Sequence, residues 1–263
     1  MRVSLRPAAL AFALVLLAAA GHAASPAPTP AARFADYGHA GVFLLQRDGG
    51  VATVVHSAAL ADVPRPPASS FKVLLALIAL ETGALRGPDE ILPGDGRHAR
   101  PEWRRSMALR EALSTSSEPY FAALAERIGR TRLAAWVAKA GYGNGRIGER
   151  PARVWHDGVL TVTARQQLAF VDRLRRGDLP FRPAHIAAVK AALREDDGDA
   201  RFHAKTGTHL DDDDRGTAWW IGWVEGPRGA ASFALMIDLK TMDERARRIA
   251  LGKALLRDAG ALP

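Results

Sequence analysis

Pro66-Pro67-Ala68-Ser69-Ser70-Phe71-Lys72, followed by the apolar run Val73 to Leu80, is the stretch on which the reading of this chain turns. The two prolines predict an extended lead-in, because proline disfavours helix in the residue before it. The run after Lys72 is apolar on every side, so as a helix it belongs in the interior. Ser69 then falls at the helix N-terminus, and Lys72 lies one turn on, on the same face. A serine hydroxyl is a weak nucleophile until an adjacent base takes its proton. A lysine set among Phe71, Val73 and Leu74 is desolvated, which lowers its pKa. Its neutral amine can accept a proton or be modified by CO2, and the helix N-terminus favours negative charge developing near Ser69. A serine N-cap with a snorkelling lysine has the same spacing. The remainder of the chain has to decide between the two.

With 263 residues and 48% apolar content, the chain can bury a substantial core. Residues 1–23 read as a secretory signal: Arg2 and Arg6 supply the charged start, Ala8 to Ala20 the apolar stretch, and Gly21-His22-Ala23 the small residues for cleavage. The apolar stretch is short for a membrane span, so no stable membrane anchor is expected, although a retained anchor is the alternative. Residues 24–33, rich in Pro and Ala, read as a disordered leader, and residues 34–263 as one catalytic domain. The protein is expected to be periplasmic or secreted. There are no cysteines, which excludes disulfides, thiolate metal sites and a thiol nucleophile. The eight histidines show no metal-binding spacing, and no metal is expected. The net charge of +8 falls to about +6 without Arg2 and Arg6. The arginines are scattered through helices, so nucleic acid is not an expected partner; attraction to an anionic envelope or anionic substrates fits better. The run Asp211 to Asp214 reads as a solvated loop.

Gly41 to Gln46 and Val51 to Val55, joined by Arg47-Asp48-Gly49-Gly50, predict a β-hairpin. Helices follow: the serine helix to Gly83, a short one over Met107 to Leu113, one restarting at Pro119 to about Ile128, and one over Arg132 to Ala140. Thr163 can cap a helix over Ala164 to Arg176, and Pro183 can start another through Leu193. Arg86 to Arg100 and Arg194 to Ala200 read as loops. Ala218 to Val224 and Ala231 to Leu239 predict strands, and Asp243 opens a last helix to about Asp258. Strands at both ends with helices between them imply an α/β (α+β) fold, an antiparallel sheet built from both chain ends and flanked by terminal helices, with an inserted all-helical region.

Four further polar clusters fall where that architecture can bring them together. Ser116-Ser117-Glu118 interrupts two helices, where a serine hydroxyl can face a site or simply cap the helix at Pro119. Tyr142-Gly143-Asn144 is a turn after a helix. Trp155 carries an indole that needs an acceptor when buried. Lys205-Thr206-Gly207 lies just before or within a C-terminal strand, where glycine permits close approach to the backbone. In this order, with Ala218-Trp219-Trp220-Ile221-Gly222-Trp223-Val224-Glu225, the chain from about Phe34 onward resembles the class D serine β-lactamases, the oxacillinase branch of the penicillin-recognising serine enzymes.

The resemblance implies a β-lactamase/transpeptidase-like fold, a small-molecule β-lactam substrate, and a monomer or homodimer. It implies Ser69 as nucleophile and Lys72 modified by CO2 to N6-carboxylysine, a general base for both acylation and deacylation, with no other cofactor. Trp155 would donate to the carbamate, and Ser116 would relay a proton to the departing lactam nitrogen. Lys205, Thr206 and an arginine, Arg248 rather than Arg245 or Arg247, would meet the substrate carboxylate. The backbone N–H groups of Ser69 and Thr208, beside Gly207, would form the oxyanion hole. Tyr142 and Asn144 would lie near the site. Glu118 departs from the family, which usually has valine there. Pointed at Lys72, it would hold the amine protonated and oppose carbamylation; turned outward, it would favour the start of the following helix. The second reading is therefore a β-lactam-acylated sensor that deacylates poorly. A cell-wall peptidase and a non-enzymatic envelope binding module are further alternatives. Ser70, where threonine is commoner, is expected to have no consequence.

Overall fold

The computed structural model describes residues 28–198, 200–211, 216–226, 228–239 and 246–262. The signal of residues 1–23 and the first part of the leader lie outside them, as do Asp212 to Asp214, Asp243 and Arg245. Thr29 caps α1 (Pro30–Tyr37), its hydroxyl accepting from the Ala32 N–H at 3.2 Å, and Phe34 and Tyr37 are buried. The leader expected to be disordered through Arg33 is therefore helical from Pro30, because a capping threonine, a proline in the first turn and two anchoring aromatics favour the helix.

The hairpin forms as β1 (Gly41–Arg47) and β2 (Thr53–His56), followed by the short α2 (Ala58–Ala61). A 3-10 turn over Ala68–Phe71 leads into α3 (Lys72–Glu81), in which Lys72 to Leu80 are all buried. Replacing one of its leucines with alanine would cost about 2–5 kcal/mol. Around it pack α4 (Leu109–Ser114), α5 (Glu118–Ile128), α6 (Arg130–Ala140), α7 (Ala164–Arg176) and α8 (Pro183–Leu193). Thr163 and Gln166 form a capping box at the start of α7.

Among the described residues four strands and an α-helix follow: β3 (Arg194–Asp197), β4 (Ala200–Leu210), β5 (Gly216–Gly226), β6 (Gly229–Leu239) and α9 (Arg248–Asp258). The sheet order is β2-β1-β6-β5-β4-β3 and every pairing is antiparallel, with Gly41 opposite Ile237 and Arg47 opposite Ala231. Both chain ends thus build one sheet, as expected. Several bounds differ from the sequence reading: β2 begins at Thr53, α4 at Leu109 and α6 at Arg130. Residues 194–197, read as loop from their charge, form an exposed edge strand, because the backbone of β4 supplies the ladder whatever the side chains are. The last helix is described from Arg248, the expected opening at Asp243 lying outside the described residues.

Side chains of the sheet alternate between two cores. Trp219, Ile221 and Trp223 of β5 face the helical region, whereas Ala218, Trp220 and Val224 face α1 and α9. Gly252 lets α9 sit on the sheet, since a Cβ there would lie 2.3 Å from the Trp220 ring. No described helix is long and apolar enough to cross a membrane.

Candidate active site

Ser69 does not sit on the α-helix itself but in the 3-10 turn before it. Pro67 already has helical dihedrals, and Ala68 is left-handed at φ 49°, so the extended lead-in ends at Pro66. A left-handed alanine costs about 1–2 kcal/mol, and the turn is braced from behind to hold it. The Ser70 hydroxyl donates to the Pro67 carbonyl at 2.6 Å, the Gln167 amide donates to Ser70 Oγ at 2.7 Å, and the Tyr142 hydroxyl donates to Gln167 Oε1 at 3.2 Å. Burial raises the Tyr142 phenol pKa and keeps that hydroxyl a donor. Its ring meets Phe71 edge-on at 5.7 Å. Ser70 is thus a buried structural link through its hydroxyl, a group that serine and threonine share.

Lys72 is wholly buried, and its Nζ donates to three acceptors: Glu118 Oε1 at 2.8 Å, the Ser116 carbonyl at 2.9 Å and Ser116 Oγ at 3.4 Å. Glu118 therefore points at the lysine, which resolves the two orientations left open by the sequence. The indole of Trp155 donates to the other carboxylate oxygen, Oε2, at 3.1 Å, and His156 Nε2 lies 3.3 Å from Oε1. Glu118 is also the first residue of α5, where the helix dipole favours an anion. Burial lowers the Lys72 pKa to about 8 even though Glu118 raises it. Burial would raise Glu118, but the hydrogen bond from His156 and the charge and hydrogen bond of Lys72 outweigh it and hold the carboxylate at about 2.

The Lys205 ammonium enters from β4, donating to Ser116 Oγ at 3.0 Å and to the Thr206 carbonyl at 3.1 Å. Burial, with the charges of Lys72 and Arg248, pushes the Lys205 pKa well below that of an ordinary lysine. Ser116 is held at φ 55°, a strained conformation for serine, in the break between α4 and α5. Further along β4, Thr206, Gly207 and Thr208 line a cleft of about 800 Å³ together with Ser69, Ser116, Glu118 and Arg248. The Arg248 guanidinium donates to Thr208 Oγ1 at 2.8 Å. Arg247 instead turns to the other face and stacks on Tyr37 at 5.0 Å. Arg100 and Arg153 add positive charge to the cleft wall.

Ser69, Lys72, Ser116, Trp155, Lys205, Thr206, Gly207, Thr208 and Arg248 thus converge, with Glu118 among them. Tyr142 supports the site from behind. Asn144 does not line the cleft; its amide donates to the Val159 carbonyl at 2.9 Å and pins a surface loop. His156 and Gln167 were not picked out from the sequence. His156 follows Trp155 directly, which was the only local signal for it, and Gln167 lies within an amphipathic helix with nothing to mark it.

Comparison with known proteins agrees with this geometry. The chain matches the penicillin binding protein transpeptidase domain family over residues 42–257. It is 32% identical to β-lactamase OXA-20 of Pseudomonas aeruginosa over 263 residues, 97% of each protein. Among solved structures, the class D β-lactamase YbXI from Nostoc superposes with a TM-score of 0.83 at 30% identity, covering 88% of this chain and 98% of that one. The C-terminal domain of the Bacillus licheniformis BlaR penicillin receptor also reaches a TM-score of 0.83, at 26% identity, covering 90% of this chain and 96% of that one. A serine and lysine one turn apart, a second serine between two buried lysines, and likeness over nearly the whole length converge on one conclusion: the chain belongs to the penicillin-binding transpeptidase-domain family, in its class D serine β-lactamase branch.

Proposed function

We propose that this protein hydrolyses β-lactams through an acyl-enzyme on Ser69. The observation that carries this reading is the placement of the Ser116 hydroxyl between two buried lysine heads in the cleft that Ser69 also lines. Both lone pairs of that hydroxyl are taken by N–H donors, so its own proton is free to be given into the cleft. Ser69 Oγ attacks the lactam carbonyl carbon as its proton passes to the Lys72 amine, which burial has brought to about 8. The C–N bond breaks, the lactam nitrogen takes the proton of Ser116, and the Lys72 ammonium gives the proton it took from Ser69 to Ser116 Oγ, 3.4 Å away. Backbone N–H groups of Ser69 and Thr208 receive the oxyanion. Lys205, Thr206 and Arg248 attract and hold the substrate carboxylate. Export of the protein, with removal of residues 1–23, is part of this reading.

Glu118 favours a second reading. A carbamate on Lys72 is the form of the base that the resemblance implies, and the ion pair with Glu118 opposes it, because carbamylation needs the neutral amine and adds an anion beside an anion. A protein so arranged would acylate and then stall, as a sensor or trap does. The mature protein and Ser69→Ala, each given a chromogenic cephalosporin, separate the two. Steady hydrolysis that is lost in Ser69→Ala supports the hydrolase. A single stoichiometric burst supports the trap. No reaction at all would sink both.

A further inference from the structure

We infer that Glu118 is the general base of deacylation and that Lys72 works as an unmodified amine. The inference rests on the reading of Ser69 as the acylated residue. Lys72 Nζ lies 2.8 Å from Glu118 Oε1 and also donates to both oxygens of Ser116. A carbamate there would set an anion against an anion, whereas an amine that takes the Ser69 proton becomes an ammonium that these same acceptors receive. The carboxylate that pairs with it is not simply a counter-ion. Glu118 lines the cleft together with Ser69, and its side chain retains 32% exposure while Lys72 retains none. Among the described residues it is thus the carboxylate both hydrogen-bonded to the buried lysine and exposed to the cleft.

Its orientation is fixed as that of a working base has to be. Lys72 and His156 meet Oε1 and the Trp155 indole meets Oε2, so the group cannot rotate, yet Oε2 retains a lone pair to accept from water. In deacylation the oxygen of such a water bonds to the acyl carbon while its proton goes to the Glu118 carboxylate. As the tetrahedral intermediate collapses, the bond from that carbon to Ser69 Oγ breaks, and the same proton is returned to Oγ. One water is consumed, and the carboxylate is regenerated. His156 is a positioning residue, acting through Glu118. Its hydrogen bonds hold the carboxylate of Glu118 in the ionised form that accepts a proton.

The test uses the mature protein and Glu118→Gln, an isosteric change, in bicarbonate-free and bicarbonate-supplemented buffer. Carbon-13 NMR with labelled bicarbonate reports any carbamate on Lys72 independently of turnover, and intact mass with a cephalosporin reports the acyl-enzyme. The expected result is no carbamate signal in the wild type, hydrolysis unchanged by bicarbonate, and a Glu118→Gln protein that acylates but hydrolyses the acyl-enzyme ~10²- to 10⁴-fold more slowly in bicarbonate-free buffer. A carbamate signal in the wild type, or stimulation by bicarbonate, would overturn the inference and leave Ser69 acylation intact. Deacylation of Glu118→Gln at the wild-type rate would also overturn it. Absence of any acyl-enzyme in the wild type would instead overturn the Ser69 reading, and this one with it.

Discussion

Gly207 of β4 lies directly against the turn that carries the nucleophile: a Cβ on it would stand 2.8 Å from the Ser70 nitrogen and 2.8 Å from the Pro67 oxygen. Both neighbours are backbone, so neither can swing aside. Gly207→Ala must therefore push the strand and the 3-10 turn apart, separating the two segments whose N–H groups are assigned to the oxyanion. Overpacking of this kind costs about 1–3 kcal/mol of stability. Misplacement by about 1 Å at a reacting centre costs on the order of 10²-fold in rate. Calorimetry paired with kcat/KM checks this; a fully active Gly207→Ala protein would mean that the two segments do not act together.

Ser116 Oγ accepts from Lys205 at 3.0 Å and from Lys72 at 3.4 Å. Ser116→Ala removes both the proton donor and a shared acceptor for two buried amines. Acylation is expected to slow by ~10²- to 10⁴-fold, with substrate binding less affected. Pre-steady-state burst rates measure this directly.

The brace behind Ser69 is a stability element. Gln167→Leu leaves the Ser70 hydroxyl and the Tyr142 hydroxyl each short of a buried partner. The expected cost is about 1–3 kcal/mol, read as a lower midpoint in urea. Ser70→Ala combined with Gln167→Leu should cost less than the sum of the two single changes, because they share one network.

The pH dependence follows from the ion pair. The Lys72 pKa is lowered by burial to about 8, and acylation needs its neutral form, so the acylation rate should rise with pH through about 8 and then level off. Glu118 remains ionised down to about 2, so it imposes no acid limb on deacylation near neutrality. For stability, a carboxylate whose pKa falls from 4.5 to about 2 on folding contributes above its unfolded value and loses that contribution as pH falls through the folded one. The stability difference between wild type and Glu118→Gln should therefore shrink as pH drops below 4.5 toward about 2. A difference that stays constant across that window would show that the pair is not what shifts the carboxylate.

Much of the site was legible because its parts are local motifs. Ser69 and Lys72 are one turn apart in any helical conformation, and the apolar run from Val73 to Leu80 had to be buried. Lys205, Thr206 and Gly207 stand next to strands whose apolar residues mark them. Residues 194–197 were misread because an edge strand draws its hydrogen bonds from its neighbour, which a charged local pattern does not reveal. The helical start at Pro30 was missed because a Pro- and Ala-rich composition outweighed a threonine cap.

The sequence by itself determined which residues could do the chemistry and the order in which the sheet and helices would come, since both depend on residue type and short-range spacing. Only the tertiary structure decided that Glu118 faces Lys72 and that Gln167 supports Ser70. Those outcomes are hydrogen bonds between residues separated by 46 and 97 positions. Contacts over such separations depend on how packed elements bring distant segments together, and no local pattern of hydrophobicity or charge encodes that distance.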